Sequence, residues 1–282
     1  MAQEPMRVAG VIGHPVAHSR SPAMQQAAFD ALGMAARYEL WDTPPEQLAA
    51  RVAGLRAPEG LGANVTIPHK TTVLPLLDAV ATSASPPLAA VNTIVREESA
   101  AGVRLVGHNT DVPALRRVLA EQSAWAAGRR MLVLGAGGAA RAALAVARLE
   151  GVEVTVAARR VEGARAALAA LAPAHVLDLA ETDALAGALA GAHVLVNTTP
   201  VGMRAAEASP LPLDLLRQLS PTSFVFDMIY SPPETALVRA ARALGLRAQG
   251  GLPMLLYQGA LAFTLWTGHE PPLDAMRAAL AL

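Results

Sequence analysis

Residues 131–144, MLVLGAGGAARAAL, confine this chain to a small set of folds. Four apolar residues read as a buried strand, a glycine-rich turn follows at once, and an alanine-rich helix begins directly after it. Gly135, Gly137 and Ala140 stand in G-x-G-x-x-A spacing. The spacing alone is weak, because an alanine- and glycine-rich helix produces it by chance. Between a strand and a helix it fits a dinucleotide-binding fingerprint. Gly135 allows the tight turn, Gly137 lets the backbone approach a pyrophosphate, and Ala140 permits close packing of helix on strand. The first helical turn, with Gly138 and Ala139, offers N–H donors and positive potential to phosphate.

The alternation continues through VEVTVAA, VEGARAALAALA, HVLVNTT and SFVFDMIY. Strands and helices at this spacing predict parallel βαβ units. A Rossmann-type nucleotide-binding domain is therefore expected over residues 111–251, opening with a helix from Asp111 to about Ala127. The tip of the strand after the fingerprint reads VTVAARRVEG, with Arg159 and Arg160 and no acid. An NAD site commonly carries Asp or Glu there to bond the ribose 2′-hydroxyl. Two guanidiniums suit a 2′-phosphate instead, so NADP is the expected cofactor; the alternative is a solvated arginine pair in a loop. Asn197, Thr198 and Thr199 follow another strand and stand at the edge where ligands bind. They serve either the cofactor or their own turn backbone.

A chain of 282 residues is long for one core, so two domains are expected. The first half reads as a second α/β domain over residues 1–110, completed by helices from about residue 252. RVAGVIG is a buried strand. SPAMQQAAFDALG is a helix with Ser21 as N-cap, Pro22 at its first position and Gly33 at its stop. YELWDT and GLGANVTI are strands, PPEQLAARVAGL is a helix, and PHKTTVLPLL begins another. AAVNTIVRE and VRLVGHN form a strand pair across EESAAG. PMLLYQGALAFTLWTG is a helix with Met254, Leu255, Leu261, Ala262 and Leu265 as its apolar positions, and LDAMRAALAL is a last short one.

Composition narrows the function classes. Lys+Arg and Asp+Glu number 23 each, which leaves no basic excess for nucleic acid. There is no cysteine, which excludes disulfides, thiol chemistry and cysteine-ligated zinc. The seven histidines show no metal-ligand spacing, so no metal is expected. The chain is 53% hydrophobic, yet no apolar run is long enough to span a bilayer and the start lacks a signal-peptide core, so a cytoplasmic protein without membrane attachment is expected. Aromatic residues make up only 4%, which predicts a core of small aliphatic side chains.

Five polar stretches border the predicted elements: GHPVAHSRSP, NVTIPHK, AVNTI, HNTD and MLLYQGA. With the fingerprint, and in this order over nearly the full length, they resemble the shikimate dehydrogenases, which reduce 3-dehydroshikimate to shikimate with NADPH and without a metal. The resemblance implies that Ser19 and Ser21 bond the substrate carboxylate, helped by Thr66 and Tyr230. It implies that Asn92, Asp111 and Gln258 hold ring hydroxyls, and that Lys70 is the catalytic acid/base beside Asp111. For the cofactor it implies Gly135, Gly137, Gly138, Ala139, Ala140, Arg159, Arg160, Thr198, Met228 and Gly251. A carboxylate about 4 Å from an ammonium is worth on the order of 4 kcal/mol at an effective dielectric of 20. That pairing favours the charged lysine, the form able to protonate a carbonyl oxygen; oxidation needs the lysine to lose a proton first and is expected to favour alkaline pH.

The chain departs from the family pattern at VPALRR after Asp111, at ARR in place of N-R-T, and at His69, which reads as a core or edge histidine. Competing readings are a quinate/shikimate dehydrogenase using NAD or both cofactors, an idle NADP-binding sensor, and a folate-interconverting dehydrogenase of similar layout. The expected partner is a small-molecule substrate, and the expected state is a monomer or homodimer.

Overall fold

Strand β1, Arg7–Gly13, is buried along all but its first residue, as a strand with neighbours on both sides and helices on its faces must be. The computed structural model that contains it describes residues 5–81, 88–124 and 128–282. The chain divides into two compact units, Met1–Asp111 with Leu255–Leu282, and Val112–Met254.

In the first unit β1 pairs in parallel with β2 (Ala36–Asp42) and β3 (Gly60–Val65). Antiparallel β5 (Thr93–Ser99) and β6 (Gly102–His108) extend the sheet, and short β4 (Ala79–Val80) lies at its far edge, giving the order β2-β1-β3-β5-β6-β4. Helix α1 (Ser21–Ala31) follows β1 and α2 (Leu48–Gly54) follows β2. Two helices from the end of the chain, α8 (Leu252–Thr267) and α9 (Leu273–Ala279), supply the rest. Phe29 of α1 and Phe263 of α8, both fully buried, meet at 5.4 Å between ring centroids. The Trp266 indole of α8 donates to Ile94 O of β5 at 2.9 Å. It lies over Gly62, where any Cβ would overlap both the Ile94 carbonyl oxygen and the indole. Aromatic residues are few, but all four phenylalanines are buried and they anchor the core more than the composition suggested.

The second unit is a sheet of six parallel strands in the order β12-β11-β10-β7-β8-β9. Its strands are β7 (Arg130–Leu134), β8 (Glu153–Ala158), β9 (His175–Asp178), β10 (Val194–Asn197), β11 (Phe224–Asp227) and β12 (Arg247–Gln249). The helices are α3 (Asp111–Glu121), α4 (Gly138–Leu149), α5 (Val161–Leu168), α6 (Thr182–Gly191) and α7 (Ala236–Ala243), with α3 beginning at the unit boundary. Strand order reverses between β7 and β10, the switch point at whose carboxyl edge open α/β sheets bind ligands.

Several local expectations give way. Ser21 is the first helical residue and not the cap: Arg20 holds the N-cap position and the Ser21 N–H donates to Ser19 Oγ at 3.3 Å. PHKTTVLPLL forms turns and one short 3₁₀ stretch, Leu74–Leu76, because Pro75 lacks the N–H an α-helix needs there. Of the expected apolar positions of α8, Met254, Leu255 and Ala262 are buried while Leu261 and Leu265 lie 39% and 38% exposed, and Phe263 and Trp266 join the buried face. Helix α3 stops at Glu121, and the expected end at Ala127 lies outside the described residues. Strands β9 and β12 and helices α6 and α7 had no counterpart in the sequence reading. Among the described residues no helix is long and apolar enough to cross a membrane.

Candidate active site

Parallel strands β1 and β3 end side by side, and antiparallel β5 starts where β3 stops, since Asn64 pairs with Thr93. This register gathers the ends of four segments at one edge. The strand β3 ends at Val65, two residues before Ile67 and ahead of Pro68, and a turn closed by His69 N–H to Thr66 O at 2.8 Å leads to Lys70. The backbone there is held twice. Lys70 O accepts from Val91 N at 2.8 Å, and the buried His69 ring donates through Nε2 to Thr43 O at 2.6 Å. His69 is thus a core histidine that ties the turn to the end of β2.

From this turn Lys70 reaches Asp111. Its Nζ donates to Asp111 Oδ2 at 2.6 Å, and the two side chains are 16% and 6% exposed. Asp111 is the first residue of α3, where the helix N-terminus favours a carboxylate. Pro113 falls in that first turn, where a missing N–H is tolerated, so VPALRR continues a helix that starts at Asp111. Asp111 Oδ1 accepts from Asn92 Nδ2 at 2.9 Å, and the same amide nitrogen lies 2.9 Å from Thr110 Oγ1 and 3.4 Å from Gln258 Oε1. Asn92 Oδ1 in turn accepts the Thr110 N–H at 2.7 Å. Lys70, Asn92, Asp111 and Gln258 therefore form one hydrogen-bonded cluster. A pair this dry is held by its extra hydrogen bonds, since breaking a buried ion pair leaves an uncompensated charge.

Ser19 and Ser21 follow β1 and are linked to each other, while Thr66, half-buried, caps the end of β3 with its N–H on Ile12 O at 2.8 Å. Among the described residues no hydrogen bond joins the serine pair to the Lys70 cluster. Tyr230 belongs to the second unit and is half-buried. Asn64, Thr93 and Thr110 are buried parts of the polar cluster that the sequence reading did not single out, although each stands inside one of the quoted polar stretches.

In the second unit, Gly135 ends β7 with φ +103°, and a Cβ there would stand 2.8 Å from Thr198 Oγ1. A Cβ at Gly137 would meet no atom within 4 Å, so the turn leaves open space on that side. Helix α4 begins there with no side-chain cap and no acid in its first turn. Ala140, in its first turn, is fully buried. Arg159 and Arg160 are exposed at the tip of β8, and among the described residues their guanidiniums make no hydrogen bond or ion pair. Open glycine backbone, uncapped helical N–H groups and two unengaged guanidiniums fit a phosphorylated dinucleotide. Ala158 is buried and offers that ligand no polar group.

Thr198 Oγ1 donates to Leu134 O at 2.6 Å, and Thr199 donates to Asn197 Oδ1 through both its N–H and its hydroxyl. Asn197 Nδ2 donates to Asp227 Oδ1 at 2.9 Å; Asp227 also accepts from Ile229 N at 3.1 Å and Thr235 Oγ1 at 2.7 Å. Asp227 is fully buried, and desolvation raises its carboxyl above the usual range against the pull of these donors. Met228 N–H donates to Asn197 O at 3.1 Å and Gly251 N–H to Ile229 O at 2.8 Å. A Cβ at Gly251 would overlap Met228 O, so these two predicted cofactor residues are neighbours. Among the described residues there is no cluster of His, Asp and Glu able to hold a metal.

Against known protein families, residues 11–94 match the shikimate dehydrogenase substrate binding domain, and residues 251–281 the shikimate 5′-dehydrogenase C-terminal domain. The chain is 45% identical to a shikimate dehydrogenase (NADP(+)) of Symbiobacterium thermophilum, covering 98% of this chain and 94% of that one. The shikimate 5-dehydrogenase of Thermus thermophilus, solved with NADP(H) and shikimate, superposes with a TM-score of 0.84 at 39% identity over 98% and 99% of the two chains. A quinate dehydrogenase from Corynebacterium glutamicum, solved with NAD, does so with a TM-score of 0.83 at 32% identity over 98% and 99%.

Proposed function

We infer the chemistry of this protein from one premise: the chain belongs to the shikimate dehydrogenase family. It is an NADP-dependent oxidoreductase that catalyses the reversible reduction of 3-dehydroshikimate to shikimate on the route to aromatic amino acids. The observation that carries the residue roles is the buried 2.6 Å pair of Lys70 and Asp111, flanked by Asn92 and Gln258.

We assign Lys70 as the proton donor. When bound, NADPH supplies a hydride to the C3 carbonyl carbon. Lys70 Nζ gives its proton to the carbonyl oxygen, so the ketone becomes an alcohol and the ammonium an amine. Lys70, whose side chain is 16% exposed, then regains a proton from water. In oxidation the amine accepts the hydroxyl proton. Asp111 Oδ2 aims Nζ, while Asn92, Asp111 and Gln258 take ring hydroxyls and Ser19, Ser21, Thr66 and Tyr230 take the carboxylate. For the cofactor we assign the turn Gly135–Gly137–Gly138, the α4 start at Ala139 and Ala140, and Thr198, Met228 and Gly251, with Arg159 and Arg160 on the 2′-phosphate. A cytoplasmic monomer or homodimer completes the reading.

The quinate dehydrogenase likeness favours a second reading, activity on quinate with NAD. Initial rates with shikimate or quinate, each with NADP or NAD, separate the two. High kcat/KM for shikimate with NADP alone is expected. Comparable rates with quinate or NAD would overturn both the substrate choice and the role of Arg159.

A further inference from the structure

We propose that Tyr38 is a positioning residue for this reaction, orienting Asn92, and through it Asp111, along a buried line of hydrogen bonds. The proposal rests on the roles assigned above to Asn92 and Asp111. Tyr38 stands on β2, the edge strand of its sheet, and is 6% exposed. Its partner across β1 is Ala9, small enough for the phenol to lie over that strand and reach β3. There Tyr38 Oη donates to Asn64 Oδ1 at 2.7 Å, both groups buried.

The direction is fixed at both ends of the line, at Tyr38–Asn64 and at Asn92, while the Thr93 hydroxyl between them also lies 3.3 Å from Thr110 Oγ1. Asn64 Nδ2 faces Asn92 O at 3.3 Å, an acceptor only, so the Asn64 oxygen must face Tyr38 and the phenol must donate. The same nitrogen donates to Thr93 Oγ1 at 3.2 Å, which leaves the Thr93 hydroxyl free to donate to Asn92 Oδ1 at 3.3 Å. The Thr110 N–H points at that same Asn92 oxygen. Asn92 therefore turns its Nδ2 toward Asp111 Oδ1, and Asp111 is left with Oδ2 for Lys70. In a satisfied network of this kind, removing a donor at its end loosens the groups that follow.

The phenol ring has a separate task. It packs 6.1 Å from the Trp266 ring, whose indole is tied to Ile94 O. Tyr38→Phe keeps that packing and deletes only the hydroxyl. The expected result is a KM for shikimate raised, and a kcat lowered, by about five- to tenfold combined, the size of one net hydrogen bond. The KM for NADP stays within about twofold, and the same change made in an Asn92→Ala background has almost no further effect, because the line is already cut. Thr93→Val, which interrupts the line between Asn64 and Asn92, is a second partner for the cycle should Asn92→Ala fold poorly. Wild-type kinetics in Tyr38→Phe would overturn the proposal. So would equal losses for both substrates with a lowered Tm, or full additivity with both partner variants. A wild-type enzyme without shikimate turnover would instead sink the functional reading, a result distinct from an active enzyme with an inert hydroxyl.

Discussion

Lys70 gains its meaning from its surroundings: a lysine after Pro68 is a surface charge by default, and Asp111 with Asn92 draws it into a buried polar cluster. Lys70→Ala should lower kcat by about 10²- to 10⁴-fold, the usual range for general acid–base catalysis, with little change in the KM for shikimate. A kcat near wild type would remove Lys70 from the chemistry. That Lys70, Asn92 and Asp111 belong together was legible because each sits in a short polar stretch that interrupts an apolar pattern. Tyr38 was not, since one tyrosine in a strand is ordinary and its partner Asn64 lies on a strand two places away in the sheet. The partner of His69, the Thr43 carbonyl, was hidden for the same reason, because backbone oxygens carry no sequence signal. Ser21 misled in a smaller way: a serine before proline is a good cap, but here Ser19 supplies the oxygen.

At the scale of elements, glycines separate packing from propensity. Helix α8 seats on the first sheet through the Trp266 indole, and Gly62 is the gap that admits it. Gly62→Ala should destabilise the protein by about 3 kcal/mol or more, through overpacking and loss of the indole hydrogen bond. Gly187, exposed in the interior of α6, meets no atom within 4 Å of an added Cβ, so Gly187→Ala should stabilise by about 0.5–1 kcal/mol. Urea midpoints measure both, and similar shifts of the same sign would refute the seating argument. Element type was readable wherever apolar runs were long, as in β1, β7 and α4. It failed at β9 and β12, edge strands of four and three residues that show no clear alternation. It also failed on the face of α8, which is apolar almost all round, so that Leu261 and Phe263 look alike until the sheet is in place.

For the whole molecule the charges cancel, 23 against 23, and the pH dependence of stability comes from particular groups. Asp227 holds its proton more tightly folded than unfolded, because burial outweighs its three donors. Between its unfolded and folded pKa values the native state binds more protons, so stability falls as pH rises through that window. Glu39 runs the other way. The Trp41 indole N–H lowers its carboxyl, and what it contributes is lost as pH falls. Asp227→Asn should therefore gain stability relative to wild type as pH rises from about 4 through the raised pKa. A difference in urea midpoint that stays constant with pH would mean that Asp227 is not the source.

Gln25 of α1 donates its side-chain amide to Gly259 O of α8 at 2.9 Å, across 234 residues of sequence. A ribosome emits α1 long before Gly259 exists. The intervening unit, Val112–Met254, is contiguous and lies wholly between these partners in order of synthesis. Nascent residues of the first unit must therefore wait, their sheet open on the side that α8 covers, while the later unit has everything it needs to close. The first unit is begun first and finished last, an inversion of the usual N-to-C order of domain folding during translation.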